Sequence, residues 1–332
     1  MLPNSSPSNR RLSIIAPVKK RAFDRQISIC FLVLTIKIEI VEKMKFVTFY
    51  YADSIAAGII DGDDIIVCSQ GDDARTAVLK LCGQDQVVID RWVANGTNRI
   101  ALAGVELLSP IPEPQRDILC VGKNYYAHAA EFHSSGFDST SKESVPKVPV
   151  IFTKAPTSVI GPGAPVNGSL DPTQSVDYEI ELGIVIGKKA FQVSKANAYD
   201  HVFGYLIIND VTSRELQQRH GQWTIGKSLD TFCPMGPWLV TSDEIADVNA
   251  MKLVTKINGE VRQQAVVSDL IFDIPTLIET MSSTMTLMPG DIIATGTPAG
   301  VGIGYTPPKY LSKGDHMSLE ISGLGRLENT IE

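Results

Sequence analysis

The sequence predicts a mixed α/β, β-rich fold, and three observations carry that expectation. Short apolar runs rich in β-branched and aromatic residues recur along the 332 residues, punctuated by 26 glycines and 19 prolines. Segments with helical character are few. No self-similarity appears at the periods of solenoids or propellers. Together these suggest a mixed β-roll or barrel-like sandwich and not a series of alternating βαβ units.

Residues 1–43 differ from everything after them. They are Ser/Pro-rich, then basic (Arg10, Arg11, Lys19, Lys20, Arg21), with no acid before Asp24. This is an unfolded extension upstream of a working start at Met44, or a mitochondrial targeting segment whose helix Pro3, Pro7 and Pro17 interrupt. The expected compartment is cytoplasmic, and mitochondrial if the segment is a presequence. From Met44 a small N-terminal α+β module is expected to 114. Lys45–Tyr51 reads as a strand, Ala56–Ile60 and Ile65–Cys68 as two more around a Gly62-Asp63 turn, and Thr76–Leu81 as a short helix. The proline cluster Pro110–Pro114 closes the module, leaving 115–332 as the large domain. Strands are expected at Ile118–Val121, Val150–Thr153, Glu179–Ile186, Val202–Asn209, Trp238–Thr241, Lys252–Ile257 and Asp291–Thr295. Helices are expected at Asn124–Phe132, Ser213–His220 and Asp273–Ser283.

Bulk composition narrows the partners. A net charge of -7 and a pI near 5.3 argue against nucleic acid. The run Ile27–Ile36 is too short to span a bilayer, so no membrane partner is expected. Cys30, Cys68, Cys82, Cys120 and Cys233 are odd in number and lack C-x-x-C spacing, which reads as reduced thiols.

The strongest chemical signal is Asp177-Tyr-Glu179-Ile-Glu181 ahead of Leu182–Ile186. On a continuous strand these acids share a face, and their mutual repulsion calls for a hard divalent cation or for solvent. Asp210 ends the apolar run 202–209 either as a helix cap or as a further ligand. Gly221–Ser228 matches the phosphate-loop pattern, but a polar helical segment precedes it and Pro234 and Pro237 follow, so nucleotide binding is rejected. Lys227 in that turn can meet a carboxylate or enolate oxygen. His128 and Glu131 stand three apart, as surface residues or as an oriented base. The run 287–302 is a strand entering a glycine-rich loop, either a tight turn or a close approach to a ligand with Thr297 as donor.

Taken in order, VGKNYYAHAAEF, PVIFTKAPTSVIGPG, VDYEIELGIVIGK, INDVTSRELQ, GQWTIGKSLDTFCPMGP and MPGDIIATGTPAGVG resemble the fumarylacetoacetate hydrolase family over about 118–332. The resemblance extends to the acylpyruvate hydrolase and 2-hydroxyhepta-2,4-diene-1,7-dioate isomerase branch. It implies a β-sandwich roll, a homodimer, and one Mg²⁺ or Mn²⁺ held by Glu179, Glu181 and Asp210, with Asp177 behind them. It further implies catalytic roles for His128, Glu131 and Lys227, and substrate contacts from Arg214, Gln217 and Thr297, with Phe152–Thr157 at the pocket floor. The implied substrate is a small 2-oxo or diketo acid. The expected reaction is C–C hydrolysis of an acylpyruvate or fumarylpyruvate through a metal-stabilised enolate, with oxaloacetate decarboxylation or keto–enol tautomerisation as alternatives on the same site. A non-catalytic metal-binding protein is the alternative of another class.

Overall fold

Alternating apolar and aromatic residues at the N-terminus build a meander of β1 (Lys45–Tyr51), β2 (Ser54–Asp61), β3 (Asp64–Gln70) and β4 (Asn98–Ala101). The structure, a computed structural model, describes residues 44–96, 98–136 and 145–332. The expected extension over 1–43 lies outside the described residues. The β2–β3 turn falls on Gly62-Asp63, with Gly62 at φ 64° supplying the left-handed residue a two-residue hairpin needs. Helices α1 (Ala77–Leu81) and α2 (Gln86–Ala94) follow β3, and β5 (Glu106–Leu107) pairs with β1.

The rest of the chain adds β6 (Ile118–Gly122), α3 (Tyr126–Ser134), β7 (Val150–Lys154), β8 (Val159–Ile160), β9 (Val176–Asp177), β10 (Ile180–Ile186), β11 (Val202–Asn209) and β12 (Thr212–Ser213). Then come α4 (Arg214–Arg219), α5 (Thr224–Lys227), β13 (Cys233–Thr241), β14 (Lys252–Ile257), β15 (Glu260–Val266), α6 (Ile274–Ser282), β16 (Ile292–Ala294), β17 (His316–Ile321) and β18 (Gly325–Thr330). Among the described residues a 12-stranded sheet runs β4-β3-β2-β1-β13-β11-β10-β16-β6-β7, with β5 attached to β1 and β8 to β13 off this path. Phe46 pairs with Leu239, so the N-terminal strands extend this sheet while keeping an apolar cluster of their own around Val47, Phe49 and Ile65. A four-stranded sheet, β15-β14-β17-β18, covers the β10–β11 region: Leu182, Ile184 and Ile207 share one core with Leu253, Met317 and Leu319. The result is the strand-rich mixed architecture expected, two sheets closing on a common core.

Departures from the expected elements have local causes. Strand β13 begins at Cys233 and runs through Pro234 and Pro237: the ladder with β11 shifts register between Gly236 and Val240, around Pro237, while Pro234 pairs in parallel with Ile160 of β8. The alternation at 177–181 is not one strand. Asp177 belongs to β9, paired with Thr212, and Glu181 to β10; between them Glu179 N donates to the Asn209 side chain at 3.1 Å. Helix α6 obeys its pattern. Asp273 accepts from Thr276 N at 2.9 Å, and Ile274, Leu277, Ile278 and Met281 point into the core.

Candidate active site

Two neighbouring strands bring the acids together. Ile180 pairs with Asn209, and Asp210 N donates to Glu179 O at 2.9 Å, so the residues that open β10 lie against the end of β11. One carboxylate oxygen from each of Glu179, Glu181 and Asp210 lies within 4.8 Å of the others, and all three side chains are buried. Asp210 does not cap the next helix, since α4 starts at Arg214 with Ser213 before it.

Buried cations answer these charges. Lys227 Nζ donates to Glu179 Oε2 at 2.8 Å and to Asp210 Oδ2 at 2.7 Å. Arg214 Nη1 stands 2.6 Å from Glu179 Oε1, and its Nε donates to Asp177 Oδ2 at 2.8 Å. Lys154, fully buried, donates to the carbonyl oxygens of Val211 and Lys227. Its Nζ lies 2.7 Å from Asp210 Oδ1 but off the direction of a hydrogen bond, so that oxygen is buried without a hydrogen-bond partner. Burial pushes the Glu179 carboxyl up, but Lys227, Arg214 and His128 outweigh it and hold the group well below the usual carboxylate range. Among the described residues no ion pair to Glu181 stands beside those of Glu179 and Asp210. Burial, then the charges of Asp210 and Glu179, drive its carboxyl well above that range.

The glycine-rich segment 296–304 approaches the protein's own carboxylates. Gly296 N donates to Glu181 Oε2 at 2.8 Å, Gly300 N to Glu131 Oε1 at 3.0 Å, and Gly302 N and Ile303 N to Asp177 at 2.6 and 3.0 Å. Gly296 has φ 106°, and a Cβ there would stand 2.7 Å from the Asn124 Cβ. His128 Nδ1 lies 3.3 Å from Glu131 Oε2, so the pair on α3 is joined to this loop through the carboxylate.

His128, Glu179, Glu181, Arg214, Gln217, Lys227 and Thr297 line one small cleft, closed on its apolar side by Phe132, Phe152 and Trp223. Glu131 stands behind His128, and Asp210 behind Lys227. The structure thus gathers every candidate residue around one cleft. Sequence reasoning missed Lys154, whose signal was a lysine inside the apolar run VIFTK. Buried thiols flank the acids: burial first raises Cys120 well above its usual range and pushes Cys233 up to about 12, so neither is ionised as a nucleophile near neutral pH.

This donor set fits a hard divalent ion. Carboxylate oxygens are its preferred ligands, Asp210 Oδ1 lacks a hydrogen-bond donor, and Glu181 is the acid with least positive compensation. Among the described residues no helix is long and apolar enough to cross a membrane.

Comparison with known proteins agrees with the architecture. Residues 117–332 match the fumarylacetoacetate (FAA) hydrolase C-terminal family. Oxaloacetate tautomerase YisK of Bacillus subtilis (strain 168) is 50% identical over 236 residues, 71% of this chain and 76% of that protein. The fumarylacetoacetate hydrolase structure from Exiguobacterium antarcticum superposes with a TM-score of 0.72 at 37% identity, covering 87% of this chain and 99% of that one. Maleylpyruvate hydrolase from Sphingobium sp. SYK-6, solved with manganese(II) and pyruvate, gives 0.70 at 31% identity, covering 87% and 98%. With the family match spanning most of the chain, this protein belongs to the fumarylacetoacetate hydrolase family of enzymes.

Proposed function

We propose that this chain is a divalent-metal-dependent enzyme that interconverts the keto and enol forms of a short 2-oxo dicarboxylate of the oxaloacetate class. The observation that carries the reading is the donor set of a small cleft: three clustered acids, and beside them Arg214, whose Nη2 is buried without a hydrogen-bond partner among the described residues. A dianion with a chelating end and a distal carboxylate suits the two together. The half-identical oxaloacetate tautomerase supports the choice of reaction.

Glu179, Glu181 and Asp210 would hold Mg²⁺ or Mn²⁺. When bound, the cation supplies Lewis-acid stabilisation of the charge that develops on the 2-oxo oxygen. Lys227 fixes Glu179 and Asp210 relative to one another, and Arg214 with Gln217 holds the distal carboxylate. Glu131 engages Nδ1 of His128, which leaves Nε2 to take a proton from the carbon next to the carbonyl and to pass it to the 2-oxo oxygen, so that the C–H bond broken is balanced by the O–H bond of the enol; the reverse transfer restores the keto form. The phenyl and indole rings of Phe132, Phe152 and Trp223 limit water at that carbon. Tautomerisation needs no bond cleavage beyond this proton transfer.

C–C hydrolysis of an acylpyruvate or fumarylpyruvate is the second reading. The His128–Glu131 pair can equally activate a water, and the manganese- and pyruvate-bound maleylpyruvate hydrolase favours it. An ultraviolet assay with Mg²⁺ or Mn²⁺ separates the readings. Faster decay of oxaloacetate enol absorbance without CO₂ or pyruvate supports tautomerisation. Pyruvate with the matching acid from acetylpyruvate or fumarylpyruvate moves the assignment to hydrolysis, and CO₂ from oxaloacetate to decarboxylation. No metal-dependent turnover on this panel would overturn all three.

A further inference from the structure

Gln263 sits on β15 in the smaller sheet, fully buried, and both ends of its amide are fixed by backbone groups that cannot exchange roles. Ile180 N, which can only donate, meets Oε1 at 3.2 Å; Pro298 O, which can only accept, takes a hydrogen bond from Nε2 at 2.8 Å. The amide therefore cannot be flipped. Its second Nε2 hydrogen points at Thr297 Oγ1, 2.8 Å away. Thr297 must accept there, so its own hydroxyl hydrogen is directed away from Gln263. No described residue accepts that hydrogen, and Thr297 lines the cleft.

We infer that Gln263 is a positioning residue that fixes the orientation of the Thr297 hydroxyl, so that Thr297 turns its hydrogen towards an oxyanion in the cleft. The inference rests on the proposed function and deepens it. With the Thr297 hydroxyl and Arg214 Nη2 both offering hydrogens, the site selects the ionised carboxylate or enolate edge of a 2-oxo acid over an alcohol or amine that would itself need an acceptor. It also explains why a polar side chain lies inside the shared core. Gln263 ties β15 to Ile180, between two of the acids, and to the loop that carries Thr297.

The test uses the full chain loaded with Mn²⁺ and oxalate as a planar mimic of the enolate edge, with Kd read by calorimetry. Gln263→Met frees the Thr297 hydroxyl to turn towards Pro298 O, and oxalate binding should weaken roughly tenfold, as for loss of one hydrogen bond to a charged group. Thr297→Val should weaken it by a similar factor. The double variant should be little worse than either alone, because both changes remove the same donor. Thr255→Val deletes a hydroxyl that donates to Gln263 Oε1 at 3.0 Å without touching Nε2, and should leave Kd within about twofold, since Ile180 N still anchors the amide. Should Gln263→Met fail to fold, Gln263→Glu asks the same question, because its carboxylate would accept the Thr297 hydrogen and withdraw it from the cleft. Multiplicative losses in the double variant, or unchanged affinity in the Gln263 variants, would overturn the inference alone. Failure of the wild-type protein to bind oxalate would overturn the functional reading and this inference with it.

Discussion

Asp177 and Arg214 form an ion pair, Oδ2 to Nε at 2.8 Å, with side chains 0% and 1% exposed. Each reaches beyond the pair: Arg214 to Glu179 in the acid cluster, Asp177 to the backbone N–H groups of Gly302 and Ile303. One buried contact therefore joins the candidate metal wall to the glycine-rich loop. Asp177→Asn would turn an amide NH₂ towards groups that can only donate and leave Arg214 undercompensated. We expect a loss of about 3–5 kcal/mol in urea denaturation. A loss below about 1 kcal/mol would mean that the loop does not depend on this carboxylate.

Glu181 is the acid least compensated by the protein itself. Its raised pKa means that the folded chain keeps a proton which the unfolded chain has released above about pH 4.3. The metal-free protein should therefore lose stability as pH rises through that window towards the elevated native value. Glu181→Gln should flatten this slope and stabilise the metal-free chain by about 1 kcal/mol or more near neutral pH, while abolishing the rise in Tm on adding Mn²⁺. Thermal melts with and without chelator at several pH values check both parts, and an unchanged Mn²⁺ response would remove Glu181 from the ligand set.

His128 and Glu131 are expected to move protons and not to hold metal. Alanine at either position should lower turnover by about 10²–10⁴-fold and leave Mn²⁺ binding, measured by calorimetry, unchanged. Full turnover in both variants would sink the proposed base.

Gly304 faces the same carboxylate. A Cβ at this position would lie 2.0 Å from Glu131 Oε1, so Gly304→Ala must push Glu131 off Gly300 N and away from His128. Turnover should fall at least about tenfold, in keeping with the sensitivity of such reactions to misplacement of about 1 Å, with the metal-dependent Tm shift preserved. Wild-type turnover in this variant would show that the Glu131 position is immaterial.

The strands at 45–51, 118–121, 150–153, 202–209 and 252–257 were legible because a short run rich in apolar and β-branched residues, with Gly, Pro or Asn at one end in all but the first, has little else to become. Helix α6 was legible from its cap and its spacing. The polar strand β15 and the helix α2 were not, since neither carries a strong apolar period: Gln86–Ala94 buries only Ile89 and Glu260–Val266 buries only Gln263 fully. The break at Tyr178-Glu179 was hidden as well, because alternating residues look the same whether or not the ladder is continuous.

What the sequence determined alone was the inventory: which acids, which lysine, which His/Glu pair, and the family resemblance that orders them. Only the tertiary structure decided their partners. Lys227 and Glu179 are 48 residues apart along the chain, Gln263 and Thr297 34 apart, Gly300 and Glu131 169 apart. Such contacts follow from sheet register and loop closure, which no local propensity encodes. The same holds for the protonation of the cluster. Glu179 and Glu181 are chemically identical and two residues apart, yet burial beside Lys227 and Arg214 holds one ionised, while burial beside Asp210 and Glu179 drives the other towards its neutral form.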